Sequence, residues 1–438
     1  MRDLLLAGLM LWLVLASFRY PWVGVLGWTW VSVMNPHALS WALKTMPVAA
    51  AVGGATLLGL LLQQQQRKNF FLCRENAVLM LFMLWMCITL PFSIFLDASL
   101  PMWDRVMKID LMILVSMVLL YSRRHTILLV WVLVGSIAFY GVKGGLFTIA
   151  TGGNYRVWGP ENTFIEGNNE MALALIMVIP LMRFLQQTLS GRWARHAMTA
   201  SMLLCAAAAL GSHSRGALLA IAAMALVMWW RGKNKLMGAL VMVLISVAVL
   251  SLMSDEWWER MNTIRSYQED ASANGRINAW WMAFNLAKDR FFGGGYYIWT
   301  GAVFAVYAPV PDDPHAAHSI YFQVLGEQGF VGLFLFLLMW LFVWQSANYL
   351  RREGPKQPQT RWLADLGSMC QVSLAGYAVG GAFLSLSYYD LPYYIMVVVV
   401  IGRRWIERKE WLNEKEEALV NWPAFLRPAR KRIKGAGA

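Results

Sequence analysis

The sequence predicts an all-α polytopic membrane protein with about twelve transmembrane helices and one long periplasmic loop that contains interfacial helices. Of its 438 residues, 58% are hydrophobic and only 14% are charged, which is far from the composition of a soluble domain. Apolar segments recur from the N-terminus to about residue 404, and basic residues gather in short clusters between them. We therefore expect a single transmembrane domain over residues 1–404, followed by a basic cytoplasmic tail over residues 405–438.

The basic clusters predict the orientation of the chain in the membrane. Loops on the cytoplasmic side are enriched in Lys and Arg, so we expect every cluster to face the cytoplasm. The clusters lie at residues 67–74, 122–125, 192–195, 231–235, 351–356 and 403–409. The net charge of +13 is then explained by membrane topology, and no nucleic-acid partner is predicted. The four cysteines lack paired spacing and indicate neither a disulfide framework nor a CxxC metal site.

Apolar runs between these clusters give the expected spans. They lie near residues 47–62, 76–96, 107–121, 126–149, 168–187, 196–211, 216–231, 235–253, 318–347, 362–385 and 392–404. If Arg2 is cytoplasmic, residues 4–34 must add one net crossing, and we expect a single passage broken at residues 19–21. Both termini are then cytoplasmic. No cleavable signal peptide is indicated, so the first apolar segment is expected to stay in place.

One polar segment, residues 254–317, is long enough to form a structure outside the membrane. It carries eight acidic and five basic residues. Its tryptophan pairs, at 257–258 and 280–281, have charged neighbours and predict amphipathic helices that lie at the membrane interface. The three glycines at 293–295 follow a helical pattern instead of a strand, so a turn is favoured over a phosphate-binding loop.

Ionisable residues gather at the outer face of the predicted bundle. Arginine binds two phosphate oxygens with its planar fork and does not deprotonate. Arg215 lies in a connection of only about five residues between two apolar runs, so it is either a snorkelling side chain or a clamp for an anionic headgroup. The same two interpretations apply to Arg276, and Arg156 and Arg290 belong to the same face. Several arginines together favour anion binding.

His318 stands where a long apolar run begins, and we predict that it is a general base. The alternative is a histidine that caps the start of a helix. His315, with the neighbouring Asp312 and Asp313, is a weaker candidate for metal binding, because a helix-spaced third ligand is missing and Pro314 interrupts the local geometry. We therefore predict no metal and no cofactor.

Two further acidic residues, Glu327 and Asp390, stand within or just before apolar runs. Glu327 lies about 13 Å into its helix at 1.5 Å per residue, and a carboxylate at this depth needs a partner. We favour a structural role for it, with Gly329 and Gly332 allowing helices to approach closely. Asp390 precedes the last span, where it would orient a histidine or arginine or shape the turn before Pro392.

An ordered set of short motifs now carries a family resemblance. Ser214-Arg215-Gly216, Gly275-Arg276 with Trp280, the glycines ending at Gly295, His318-Ser319 and Glu327-x-Gly329-x-x-Gly332 resemble the signature of the O-antigen ligase and polymerase superfamily. The similarity covers roughly residues 150–340. The stretches RYPWVGVLGWTWVSVMNPH at 19–37 and RVWGPENTFIEGNNEMALAL at 156–175 are similar to the branch of O-glycosylation ligases. GNNE departs from that pattern, which has an acid before the two asparagines.

The resemblance implies a metal-independent, inverting glycosyltransferase of the bacterial inner membrane. It would move a glycan from undecaprenyl diphosphate to a sugar hydroxyl of lipid A core, at a site facing the periplasm and among membrane lipids. His318 would deprotonate the acceptor and Arg215 and Arg276 would hold the diphosphate. Supporting roles would fall to Asp390, Glu327, Arg156, Arg290 and His315.

Alternatives remain open at this point. A protein O-oligosaccharyltransferase or an O-antigen polymerase would use the same donor and the same base. A lipid-linked glycan transporter would also suit twelve spans. Transporters place ionisable residues near the bilayer midplane and often carry internal repeats, whereas here these residues gather at one face and no repeat is evident.

Overall fold

The computed structural model describes residues 2–41, 43–44, 46–64, 70–231 and 271–412, together with residues 235–236, 240 and 258. Within these residues the fold is all-helical and has no strand, as predicted. The α-helices are α1 Arg2–Arg19, α2 Pro21–Met34, α3 Val48–Leu62, α4 Arg74–Thr89, α5 Leu96–Leu119, α6 Arg123–Ala150, α7 Asn168–Thr188, α8 Arg192–Leu210, α9 Arg215–Arg231, α10 Ala271–Asp289, α11 Gly301–Tyr307, α12 Ile320–Glu353, α13 Arg361–Gly380 and α14 Asp390–Glu407.

Four of the described helical segments are long and apolar enough to cross a membrane. They are Arg74–Phe92, Arg123–Ala150, Asn168–Thr188 and Ile320–Lys356. Two shorter helices, Val48–Leu62 and Arg215–Trp230, are also apolar. The chain is thus a membrane protein, and the number of about twelve spans stays a prediction. Most of the expected span at 235–253, the first tryptophan-rich part of the long loop and the tail beyond residue 412 lie outside the described residues.

Helices α1 and α2 form an antiparallel hairpin, so the expected single passage through residues 4–34 is wrong. Leu13 packs beside Gly27, and Ser17 packs beside Gly24, which two helices in line cannot achieve. Pro21 at the first position of α2 starts a new helix after the turn at Tyr20. The two glycines leave room for the side chains of α1, and α3 packs against both helices.

The polar connections of the bundle converge at one end, here named the loop end. Hydrogen bonds link them across long sequence separations: Ile94 N–H to Gly294 O at 2.9 Å, Val157 N–H to Gly211 O at 3.1 Å and Asn168 Nδ2 to Ser212 O at 2.7 Å. Ser32, near the end of α2, donates to Asp390 at the start of α14. Since α14 runs away from this end, the start of α1 and the end of α14 lie at opposite ends of the bundle.

The predicted cytoplasmic clusters meet at the opposite end, here named the basic end. Arg403 reaches Glu75 at 3.2 Å and Ser346 at 3.0 Å. Arg123 lies over the ring of Trp362, and Arg408 over the ring of Phe71. The sequence-based expectation that these clusters share one side of the bundle is therefore consistent with the structure.

The glycines at 293–295 form a turn, as predicted, and this turn packs against a kink in α12. Gly329 interrupts that helix with φ 69° and ψ −174°. The N–H groups of Gly294 and Gly295 donate to the carbonyl oxygens of Gly326 and Glu327 at 2.9 and 3.1 Å. These bonds satisfy carbonyl groups that the kink removes from the helix ladder. The turn thereby fixes the first part of α12, just beyond His318.

Candidate functional site

His318 lies at the loop end, in the segment between α11 and α12. Its backbone adopts the left-handed conformation with φ 41°, and its N–H donates to Ser385 Oγ at 3.0 Å. The side chain is half-buried, and its Nδ1 atom has no hydrogen-bond partner among the described residues. The N-cap of α12 is Ser319, which makes no side-chain capping bond. The imidazole therefore does not serve as a helix cap.

The surroundings of His318 keep its imidazole neutral. Burial lowers the pKa of His318 to about 4, and the positive charge of Arg276 and the neighbouring His315 contribute in the same direction. At neutral pH one ring nitrogen therefore carries a proton and the other carries a lone pair. Such a ring accepts a proton from a hydroxyl group placed against it.

Helix α10 holds the segment that carries His318. Asn278 Nδ2 donates to the carbonyl oxygens of Val310 at 2.8 Å and Asp313 at 3.1 Å, and its Oδ1 accepts from Val310 N–H at 2.9 Å. Trp280 Nε1 donates to Ala317 O at 2.7 Å. Helix α10 thus contacts the segment both near its start, at residues 310 and 313, and next to His318, at Ala317. These contacts explain why the motif with Gly275, Arg276 and Trp280 precedes the histidines in the chain.

Arg276 lies close enough to His318 to affect its ionisation, on the half-buried face of α10. It also interacts electrostatically with Glu170 in the first turn of α7. Gly275, one residue earlier, lets the His315 ring approach α10, since a Cβ atom there would lie 2.8 Å from that ring. The structure thus brings Arg276, His315 and His318 together.

Arg215 begins α9 and lies beside the segment 381–385, which also contacts the His318 region. A Cβ atom at Gly216 would lie 3.5 Å from Phe383 Cβ, while Ile320 packs against Gly381. Ser385 in the same segment accepts the bond from His318 N–H. The segment therefore connects the surroundings of Arg215 with those of His318.

The other two predicted arginines have different surroundings. Arg290 Nη2 donates to Phe92 O at 2.7 Å, and its Nε donates to Gly293 O at 3.3 Å. The side chain therefore links the glycines at 293–295 to the segment that follows α4. Arg156 is exposed and lines a cavity of about 470 Å³ that also contains Lys44 and Glu161. Neither contact set includes His318.

Glu327 and Asp390 are both buried, and they lie in different environments. Glu327 accepts from Trp299 Nε1 at 3.2 Å and from Tyr388 OH at 2.8 Å, which fits the structural role favoured for it. Asp390 accepts from Ser32 Oγ at 2.5 Å and interacts electrostatically with Arg105. Of the partners considered for Asp390, the structure supplies an arginine.

His315 pairs with Asp313 through Nδ1, at 3.1 Å from Oδ1. Over the described residues, no group of three or more His, Cys, Asp or Glu side chains is arranged to hold a metal ion. His213, another histidine at the loop end, is buried and has its Nε2 atom 2.7 Å from Gly153 O. His318 differs from both, because its buried Nδ1 atom has no hydrogen-bond partner among the described residues.

Sequence reasoning missed Glu170, Ser385 and Arg105. Glu170 follows the two asparagines of the GNNE stretch, where the pattern assigns it no role, and its proximity to Arg276 requires α7 and α10 to lie close together. Ser385 and His318 are separated by 67 residues in the chain. No local signal in the sequence links either pair.

An apolar groove runs along α10 next to this cluster. It has a volume of about 320 Å³ and is lined by Ile277, Trp280, Trp281, Phe284 and Phe322. The rings of Trp280 and Phe322 stack with centroids 5.0 Å apart and an interplanar angle of 5°. Helix α10 thus carries both Arg276, which lies beside His318, and one wall of the apolar groove.

The fold and the site define an all-helical membrane protein with a histidine and arginine cluster at one end of its bundle. Residues 200–337, which include Arg215, Arg276 and His318, match the family model of O-antigen ligases. Residues 1–190 match the model of a family of unknown function. A comparison with curated proteins gave no match. Over residues 200–337 the chain belongs to the O-antigen ligase superfamily, and this match supports a function of the ligase or polymerase type in O-antigen processing, with a glycosyltransferase-like activity.

Proposed function

We propose that this protein is an O-antigen ligase that transfers a glycan from undecaprenyl diphosphate to a sugar hydroxyl of lipid A core. The site would face the periplasm, at the surface of the bacterial inner membrane. The observation that carries the proposal is the half-buried, neutral His318, which lies beside Arg276 and whose Nδ1 atom is buried without a hydrogen-bond partner among the described residues. That arrangement supplies a base for the acceptor and positive charge for the leaving group.

The reaction needs one proton transfer and one displacement. His318 takes the proton of the acceptor hydroxyl while that oxygen bonds to the anomeric carbon of the donor sugar. The bond from this carbon to the diphosphate oxygen breaks, and the electron pair leaves with undecaprenyl diphosphate. Arg276 and Arg215 stabilise the negative charge that develops there. Attack from the face opposite the leaving group inverts the configuration.

The donor would also adjust the strength of the base. Arg276 contributes to the low pKa of His318 in the free protein. A diphosphate bound to Arg276 offsets its positive charge, so the imidazolium that forms during transfer becomes less unfavourable. His318 is then a stronger base in the complex than in the free enzyme, and protons are taken mainly when the donor is in place.

The groove along α10 suits the lipid part of the donor. A polyprenyl chain is apolar, and the groove is lined by aromatic and aliphatic side chains directly after Arg276 in the helix. A diphosphate held by Arg276 could therefore continue into a chain lying against Trp281 and Phe284. Both donor and acceptor carry lipids, so both would reach this site by lateral diffusion.

Transfer by the purified full-length protein in nanodiscs tests the proposal. The donor is an undecaprenyl-diphosphate glycan, offered with lipid A core, with an acceptor protein or alone, and with or without EDTA. Product on lipid A core that forms in EDTA and is lost with His318→Ala supports the ligase. Product only on protein or on a second glycan assigns a sister activity. If the donor crosses the membrane of proteoliposomes and no acceptor yields a product, the protein is a transporter and the proposed enzyme activity is wrong.

A further inference from the structure

A second cavity at the loop end is lined mostly by residues of the part of the chain, 1–190, that matches a family of unknown function. Its volume is about 350 Å³, within the usual range for a small-molecule site. It lies between the end of α2, the middle of α5 and the start of α14, and the loop 162–165 closes one side. Glu166 orders this loop by accepting from Asn162 N–H at 2.8 Å.

Three residues in the wall of this cavity, Trp28, His37 and Tyr389, have a buried polar atom that lacks a partner within the described structure; for Trp28 this atom is Nε1. Tyr389 is 2% exposed, and its hydroxyl makes no hydrogen bond. His37 Nδ1 is also buried without a partner. By contrast, the hydroxyls of the neighbouring Tyr388 and Tyr393 are bonded to Glu327 and to Ser387 O. Buried polar groups are nearly always satisfied, so these three point to a ligand that bonds to them.

The charges that line the cavity are balanced. Arg105 and Lys108 supply two positive charges, and Asp104 and Asp390 supply two negative ones. Asp104 pairs with Lys108, whereas Arg105 interacts with Asp390 and lies 4.0 Å from the centroid of the Phe164 ring. A free anion would meet the carboxylates, and a free cation would meet the basic groups.

A ligand rich in hydroxyl groups fits this wall better than an ion does. Each hydroxyl both donates and accepts a hydrogen bond, so it can bind carboxylates, guanidinium groups, imidazole nitrogens and phenols together. Phe164 and Tyr389, with ring centroids 6.3 Å apart, add apolar faces that pack against the C–H groups of a sugar ring. Carbohydrate is the ligand class that combines these properties.

The cavity lies within reach of His318. Ser385 accepts from His318 N–H, and five residues further along the chain Asp390 lines the cavity. Five residues span at most about 18 Å even when fully extended. On the other side, the loop 162–165 leads directly into α7, which carries Glu170 near Arg276.

We propose that this cavity is a carbohydrate-binding subsite that holds sugar units of a glycan whose reacting end lies at His318. The inference rests on the proposed function for the reaction it serves, and it assigns the sugar contacts to Tyr389, His37, Arg105 and Asp390. The bound sugars belong either to the donor glycan or to the acceptor core, which share this chemistry.

Binding of phosphate-free sugars to the full-length protein in nanodiscs tests the subsite. The probes are the oligosaccharide released from the donor by mild acid and the delipidated core oligosaccharide, measured separately by saturation-transfer NMR and titration. Tyr389→Phe removes only the unpartnered hydroxyl and should weaken one probe about 2- to 12-fold. Tyr394→Phe makes the same change in the same helix, at a buried hydroxyl that also lacks a partner but lies outside the cavity wall, and should have no effect.

The identity of the weakened probe assigns the source of the sugar. Absence of binding by both probes to the wild-type protein, or equal affinities for wild type and Tyr389→Phe, would overturn the subsite. His318→Ala should bind the probe as the wild type does, because the contacts lie elsewhere. Retained, Tyr389-dependent binding in a protein that transfers no glycan would therefore refute the proposed reaction while leaving the subsite in place.

Discussion

His318 combines an uncommon backbone conformation with a ring nitrogen, Nδ1, that has no hydrogen-bond partner among the described residues. A non-glycine residue with φ 41° is rare and persists only where its neighbours enforce it. Here Ser385 binds its N–H, and Trp280 binds the carbonyl oxygen of the residue before it. The ring is thus held in place by backbone contacts that leave the imidazole itself available for a reaction.

Replacing His318 by Ala should therefore remove activity without unfolding the protein. If His318 is the general base, turnover falls by roughly 10² to 10⁴. The thermal transition in nanodiscs should change little, since the described contacts of His318 are made by its backbone. His196→Ala is the control, because His196 is exposed on α8, near its basic-end start, and its replacement should leave turnover intact. Full activity of His318→Ala would exclude His318 from the mechanism.

The acid side of the pH profile should report the ionisation of His318. The base must be neutral, and the pKa of His318 in the free enzyme is about 4, so kcat/KM should stay level from pH 8 to about pH 5 and fall below that. Arg276→Gln removes a charge that lowers this pKa and should shift the fall to higher pH. Burial still lowers the pKa of His318 in this variant, so the midpoint of the fall in kcat/KM should remain below pH 6.5.

Arg276→Lys keeps the charge and should keep the wild-type acid limb, even though its turnover is reduced. The measurement is initial transfer rate at low donor concentration between pH 4 and 9, with reversibility checked by returning samples to pH 7. A wild-type limb near 6.5 that Arg276→Gln does not move would contradict the assignment of His318 as the titrating base.

The candidate residues could be predicted from the sequence because of where they stand relative to apolar runs. His318 precedes a long run, and Arg215 lies in a short connection, so their location near a membrane surface follows from hydropathy alone. Partners such as Ser385 for His318 could not be predicted, since they depend on which helices are adjacent. For the same reason, the sequence could not predict that the hydroxyl of Tyr389 is buried without a partner in the described structure.

Helix α10 is the part of the fold that positions the segment carrying His318. Its successive turns present Gly275 to His315, Asn278 to residues 310 and 313, and Trp280 to Ala317. Gly275 and Asn278 are three residues apart and lie on one side of the helix, whereas Trp280, two residues after Asn278, lies on the other side. The sequence predicted an amphipathic helix here but not the use of its polar face.

Asn278→Ala should loosen the His318 segment and lower kcat. The change removes three hydrogen bonds to residues 310 and 313, so the amides of residues 308–319 should exchange faster with deuterium. A small displacement of the base should cost roughly 10-fold or more in kcat. Donor binding should change less, because Arg276 keeps its place in the helix.

Asn285→Ala is the matched control for this element. Asn285 also donates from α10 to a backbone carbonyl, that of Tyr307 at 2.9 Å, but this contact lies at the end of α11. It should leave exchange at residues 313–318 unchanged. If both variants affect these residues and kcat equally, the effect is general destabilisation of α10, and the positioning role of Asn278 is refuted.

The hairpin of α1 and α2 shows where sequence reasoning about elements failed. Hydropathy and Pro21 predicted a break at residues 19–21 but could not distinguish a kink from a reversal. The decision depends on whether α1 finds a better partner beside α2 than in line with it. Gly24 and Gly27 supply that close surface, and α3 covers both helices, which are tertiary facts.

The two ends of the bundle differ in their charged residues and in their connections. The basic end gathers Arg123, Arg403 and Arg408 around aromatic rings and Glu75, whereas the loop end contains the irregular connections and the candidate site. Under the positive-inside rule the basic end is expected in the cytoplasm. The apolar side chains that remain exposed between the ends then face lipid.

This two-ended arrangement predicts the side on which the N-terminal helix begins. Because α1 and α2 are antiparallel and α2 ends beside Asp390, Asp3 should lie on the same side of the membrane as Asp312 in the His318 segment. Gln357, exposed between α12 and α13, should lie on the other side. Single cysteines at these three positions, in a variant lacking the four native cysteines, report the arrangement.

A membrane-impermeant maleimide, applied to sealed vesicles of one orientation, should label Asp3→Cys and Asp312→Cys together. Gln357→Cys should react only after the vesicles are opened or when vesicles of the reverse orientation are used. Labelling of Asp3→Cys together with Gln357→Cys would mean that residues 4–34 cross once, as hydropathy alone suggested. The hairpin would then be excluded, and because α2 forms one wall of the proposed sugar cavity, its position would have to be determined again.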